Sequence, residues 1–90
     1  MPQSATPKVV IYTWTVCPYC VRAKDLFRRK GIEFQEINLD GQDEELEKLR
    51  ERTKWRTVPQ IFVNDQFLGG FTDVAKLDAT GELDQILSGS

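Results

Sequence analysis

Lys8-Val9-Val10-Ile11-Tyr12-Thr13-Trp14-Thr15-Val16-Cys17-Pro18-Tyr19-Cys20 is the stretch on which the fold turns. Its first half is β-branched and aromatic, continuous enough in apolar character to predict a central strand over 8–13 buried on both faces. From Pro18 the period changes. Val21, Ala23, Lys24, Leu26 and Phe27 fall at helical spacings, with Arg22, Asp25, Arg28 and Arg29 filling the other side and Gly31 as a stop. A proline is best placed at the first position of a helix, where its missing N–H costs nothing, so Cys17 becomes the N-cap and Cys20 the third helical residue. A sulfur at the N-cap receives the unpaired N–H groups of the first turn and the positive end of the helix dipole, which lowers the thiol pKa and favours the attacking thiolate. Cys20, one turn inside, is expected to stay a thiol until it resolves a disulfide formed at Cys17.

Outward from this stretch, Glu33 to Leu39 alternates like a strand and ends at Asp40-Gly41. Asp43 is expected to cap a solvated helix running from Glu44 to about Thr53. Gln60 to Asn64 and Gln66 to Leu68 form a hairpin turning at Asn64-Asp65, and Gly69-Gly70 closes it. Short helices over 71–79 and 83–87 follow, the first with Thr72 or Asp73 near its cap. The order strand, helix, strand, helix, strand, strand, helix implies an α/β fold with a mixed four-stranded sheet flanked by helices. The expected organisation is a flexible segment over 1–7 and one domain over 8–87.

Composition narrows the chemistry. In 90 residues there is room for one compact core. A formal charge of −2 supplies no surplus of cations for a phosphate backbone, so no nucleic-acid partner is expected. No run approaches the roughly 20 apolar residues that cross a bilayer, and the start lacks a secretory pattern, so the expected setting is the cytoplasm, without membrane attachment. In that reducing compartment a close cysteine pair points to redox chemistry or metal binding. The chain has no histidine and only two cysteines, which is too few ligands for a tetrahedral zinc site within one chain and excludes cysteine-histidine hydrolysis. No bound metal is expected.

Cys17-Pro18-Tyr19-Cys20, Thr57-Val58-Pro59 and Gly69-Gly70-Phe71-Thr72-Asp73, in this order and spacing, closely resemble the dithiol glutaredoxins over about 8–87. The resemblance implies the thioredoxin fold and a glutathione-dependent disulfide oxidoreductase. Cys17 and Cys20 are its catalytic pair, with glutathione as reducing co-substrate and no bound cofactor. Glutathionylated proteins and protein disulfides are the implied partners of a monomer. It further implies glutathione contacts at Tyr19, Thr57, Val58, Pro59, Gly70, Thr72 and Asp73. A cis Pro59 would turn the Val58 backbone toward the ligand, so that the cysteine part of glutathione pairs with it like an added strand. N–H groups at the helix start would hold the γ-glutamyl carboxylate while Asp73 pairs with its ammonium. Read without the resemblance, Gly69-Gly70 can be a strand end and Asp73 a cap.

One position departs from the family. Where many members carry Lys or Arg three residues before the first cysteine, this chain has Trp14, which either shields the site or packs beneath it. Charge support would then come from Arg56, or from Arg50, Arg52 or Lys54. Two rival readings remain open: a protein reductase driven by a dedicated thioredoxin-type reductase, and a dimeric iron-sulfur carrier. Pro18 and Cys20 argue against the second. The absence of a helical second domain after Ser90 argues against a transferase module.

Overall fold

A computed structural model describes residues 7–88, so the expected flexible segment lies outside the described residues except for Pro7. Eight elements follow in order: β1 (Val9–Thr13), α1 (Pro18–Arg29), β2 (Gln35–Asn38), α2 (Asp43–Thr53), β3 (Gln60–Val63), β4 (Gln66–Gly69), α3 (Phe71–Thr80) and α4 (Glu82–Leu87). The sheet runs β2-β1-β3-β4, with β1 parallel to β2 and both other pairings antiparallel. This is the mixed four-stranded sheet expected from the order of elements, with β1 inside it.

The hairpin turns at Asn64-Asp65, both in the left-handed region at φ 51° and 68°, the geometry that matches the twist of the flanking strands. Lys8 secures that turn: its N–H donates to Asn64 Oδ1 at 2.9 Å and its carbonyl accepts from Asn64 N–H at 2.8 Å. The β3–β4 register slips between Ile61 and Phe62.

Two apolar clusters fill the molecule. One joins Val9 and Ile11 of β1, Ala23, Leu26 and Phe27 of α1, Ile61 and Val63 of β3, and Val74, Leu83 and Leu87 of the last helices. The other contains Cys20, Leu39, Leu49, Val58 and Phe62, with Trp14 and Tyr12 packed against it.

Three local expectations are corrected. β1 is not buried on both faces: Val9, Ile11 and Thr13 are buried, whereas Val10 and Tyr12 are half-buried. The covering helix α2 buries only Leu49, too thin a stripe to seal that side. Val21 does not belong to the buried face of α1 and is 49% exposed, because Cys20, Ala23, Leu26 and Phe27 already fill the inward arc. Asp43 is the first helical residue of α2 and not its cap; Gln42 holds the cap position without a side-chain bond. Asp43, Glu44 and Glu45 instead place negative charge in the first turn, and Arg50 and Arg52 place positive charge in the last, each complementing the dipole.

No helix among the described residues is long and apolar enough to cross a membrane.

Candidate active site

The loop leaving β1 carries the cysteines to the sheet edge and is tied to the end of β2. Thr15 N–H donates to both carboxylate oxygens of Asp40, at 3.2 and 3.3 Å, and Asn38 Nδ2 donates to Thr15 Oγ1 at 3.0 Å. Leu39 N–H donates to Thr13 O at 2.8 Å, extending the parallel ladder to the mouth of the loop. Beyond it Cys17 adopts an extended backbone as the N-cap of α1 with Pro18 as the first helical residue, as the sequence predicts. Cys17 Sγ accepts the Cys20 N–H at 3.2 Å, so the sulfur takes one of the donors that a helix start leaves unpaired.

The two sulfurs are joined as a disulfide across a Cα–Cα separation of 5.2 Å. Their surroundings differ. Cys20 is 1% exposed within the second apolar cluster, whereas Cys17 is half-buried at the rim. Val16, Tyr19 and Val21, exposed by 89%, 53% and 49%, surround the pair with apolar surface. Arg22 stands 5.3 Å over the Tyr19 ring.

A second wall faces this edge. The Val58–Pro59 peptide is cis, and the Val58 carbonyl oxygen lies 3.9 Å from Cys17 Sγ. Between that segment and the start of α3 runs a cleft of about 150 Å³ lined by Tyr19, Trp55, Thr57, Val58, Pro59, Gly70, Phe71, Thr72 and Asp73. All seven residues named from the resemblance as ligand contacts therefore share one wall or another of the same cleft. Trp55 and Phe71 join them. Phe71 lies inside a motif read for its glycines and its carboxylate, and Trp55 precedes its motif; a helical or strand period signals neither.

At the α3 start the cap is Gly70, and Asp73 at the third helical position reaches back to accept the Gly70 N–H on Oδ2 at 3.1 Å. Gly69 precedes it at φ +112°, a conformation open to glycine and strained for other residues.

Positive charge lies outside the cleft lining. Arg56 is exposed beside Thr57, and what it gives to the local structure is its backbone carbonyl, which accepts from Arg50 Nε at 3.2 Å. Arg50 also pairs with Glu47 at 2.7 Å, and Arg52 lies 4.8 Å over the Phe62 ring. Trp14 packs, partly buried, against the cluster that holds Cys20.

Comparison with known proteins agrees with this architecture. A family model described as Glutaredoxin matches residues 9–68. The chain is 48% identical to a glutaredoxin of Pseudomonas aeruginosa over 82 residues, 91% of this chain and 98% of that one. It is 48% identical to glutaredoxin 3 of Escherichia coli K12 over 79 residues, 88% of this chain and 95% of that one. Among solved structures, a buckwheat glutaredoxin-glutathione complex superposes with a TM-score of 0.86 at 33% identity, covering 90% of this chain and 76% of that one.

Proposed function

The chain belongs to the glutaredoxin family of glutathione-dependent disulfide oxidoreductases, and from that premise we propose that it reduces glutathione mixed disulfides and protein disulfides, with Cys17 attacking and Cys20 resolving. The observation that carries this division of labour is the unequal exposure of the pair: Cys17 is at the rim, while Cys20 is 1% exposed. Only the first can meet an incoming disulfide. The first turn of α1 favours its thiolate, and the Cys20 N–H is already aimed at the sulfur.

With a glutathionylated protein, Cys17 thiolate attacks the glutathione sulfur and the protein leaves as thiolate. A second glutathione thiolate attacks the same glutathione sulfur, oxidised glutathione departs, and Cys17 thiolate is regenerated. With a protein disulfide, Cys17 forms a mixed disulfide with one substrate sulfur. Cys20 thiolate then attacks Cys17 Sγ, releases the reduced substrate and closes the pair seen in the structure. Glutathione reopens it at Cys17. The electron pairs come from glutathione throughout.

The cleft accounts for the choice of reductant. Val58, next to Cys17 Sγ, offers its backbone to the cysteine part of glutathione in the manner of an added strand. Gly70 N–H is already taken by Asp73, so the N–H groups of Phe71 and Thr72 are left to meet the γ-glutamyl carboxylate at the α3 start. Asp73 holds the neighbouring ammonium while it caps. Tyr19, Thr57 and Pro59 complete the walls, and Arg56 supplies long-range charge toward the glycine carboxylate. A similar glutaredoxin solved as a glutathione complex supports the same ligand here. The proposed setting is the cytoplasm, where the glutathione pool keeps thiols reduced, and the proposed working form is a monomer.

The test is substitution of each sulfur in the full chain. Cys17→Ser is expected to abolish glutathione-dependent reduction of both a glutathionylated peptide and a protein disulfide. Cys20→Ser is expected to keep the first reaction and lose the second. Full activity in Cys17→Ser would overturn the assignment.

A further inference from the structure

Gln60 opens β3, directly after Pro59, and is 0% exposed. A polar side chain so buried must find partners for its amide, and here each end is engaged. Gln60 Nε2 donates to Trp55 O at 2.9 Å and to Thr57 O at 3.1 Å. Its Oε1 lies 2.9 Å from Thr53 Oγ1, and Thr53 Oγ1 in turn accepts the Trp55 N–H at 3.1 Å. The two carbonyl partners settle the orientation of the amide, because only the NH₂ end can donate to them.

The carbonyl between those two, that of Arg56, is held by a different side chain. Arg56 O accepts from Arg50 Nε, and Val58 O faces Cys17 Sγ. Four successive carbonyls are thus directed in turn to Gln60, to Arg50, to Gln60 and to the redox sulfur. We propose that Gln60 is the positioning residue of the glutathione cleft: by fastening the carbonyls of Trp55 and Thr57 inward, it presents Trp55, Thr57 and the Val58 backbone to the ligand without touching it. The inference rests on the glutathione reading of the cleft.

The arrangement separates binding from chemistry. Cys17 and Cys20 are set by β1 and α1, whereas Gln60 acts on the segment between α2 and β3. Removing its amide leaves two inward carbonyls without donors, which costs enough to let that segment turn toward water. The cleft wall moves and the cysteine pair does not.

The experiment compares the full chain with Gln60→Met, which keeps length and volume but has no donor, varying a glutathionylated peptide at a fixed, high concentration of glutathione. The KM for the glutathionylated peptide, whose glutathione half is what the cleft receives, is expected to rise about tenfold, as for the loss of a hydrogen bond to a buried group, with kcat at saturating peptide kept within about twofold. Reduction of the Cys17–Cys20 disulfide by dithiothreitol, which has no use for the cleft, is expected to proceed at the parent rate. If Gln60→Met does not fold, Gln60→Asn, one methylene too short to reach both carbonyls, provides the same comparison. A KM within twofold of the parent in a folded variant, or an equal fall in kcat and in the dithiothreitol rate, would overturn the role given to Gln60. A parent enzyme that reduces the same peptide carrying a cysteine mixed disulfide as well as the glutathionylated one would instead overturn the reading of the cleft, and the two failures are distinguishable.

Discussion

Asp73 occupies the space that a side chain on Gly69 would need: a Cβ built there would stand 2.6 Å from Asp73 Oδ2. The same oxygen accepts the Gly70 N–H, so the bare backbone at Gly69 is what allows the carboxylate to reach back over the start of α3. Gly69→Ala meets both that clash and a φ of +112°. It is expected to destabilise the fold by about 1–3 kcal/mol and to raise the KM for a glutathionylated peptide as Asp73 is pushed out of place. Chemical denaturation and kinetics with that peptide on the same preparation measure the two effects, and an unchanged unfolding midpoint would refute the steric argument.

Asp73 has two proposed duties, which Asp73→Asn separates. The amide oxygen still accepts from Gly70 N–H, so stability should move by no more than about 0.5 kcal/mol. The charge for the γ-glutamyl ammonium is gone, so the KM for a glutathionylated peptide should rise roughly tenfold or more. Equal stability with an unaltered KM would leave Asp73 a cap only.

Two charged clusters, one around Glu36 and one around Lys30, set opposite limits of pH. The Glu36 carboxyl is held below its ordinary range, first by the Thr13 hydroxyl at 2.7 Å and then by Lys24 at 3.0 Å. Its contribution to stability is complete above the ordinary carboxylate pKa and is lost as pH falls through the lowered, folded value. Lys30 is held above 10.5 by hydrogen bonds to Asp78 and then Asp84, each at 2.7 Å. Its contribution is complete below that value and is lost as pH rises through the raised one. Melting temperatures of Thr13→Val should therefore fall short of the parent at neutral pH and converge with it in acid. Those of Lys30→Met should converge with the parent only in strong alkali.

Arg56 lies outside the cleft lining, so any help it gives glutathione travels through solvent. Arg56→Gln should raise the KM by about twofold at low ionic strength, in keeping with an exposed charge. Near 1 M salt, where screening acts within about 3 Å, the difference should vanish. A salt-independent rise would mean direct contact.

Most of the fold was legible because its signals are local. The β-branched run at Val9–Thr13, the proline at the first position of α1 and the Asn64-Asp65 turn each carry their reason within a few residues. The placement of Cys17 at the start of α1 was legible for the same cause, since a helix N-terminus can be read from the chain order alone. Gln60 was not, because a glutamine opening a strand looks solvent-facing until its amide is seen beneath Trp55 and Thr57. Asp43 and Val21 misled in a related way. Capping propensity and helical spacing nominate candidates, but which neighbour fills the cap or the inward face is decided by packing across the sheet.

The burial of Cys20 bears on how the protein meets peroxide. A sulfur 1% exposed is out of reach of a solvent oxidant, so the first oxidation falls on Cys17 and forms a sulfenic acid. The protected thiol one helical turn away then condenses with it, water leaves, and the internal disulfide forms before further oxygen can add. That product is the form seen in the structure. In Cys20→Ser the same sulfenic acid has no internal partner, so mass spectrometry after peroxide treatment should find Cys17 carried on to the irreversible sulfinic and sulfonic states when glutathione is withheld. If Cys20 resolves as proposed, it would set the enzyme's endurance under oxidative stress as well as its range of substrates.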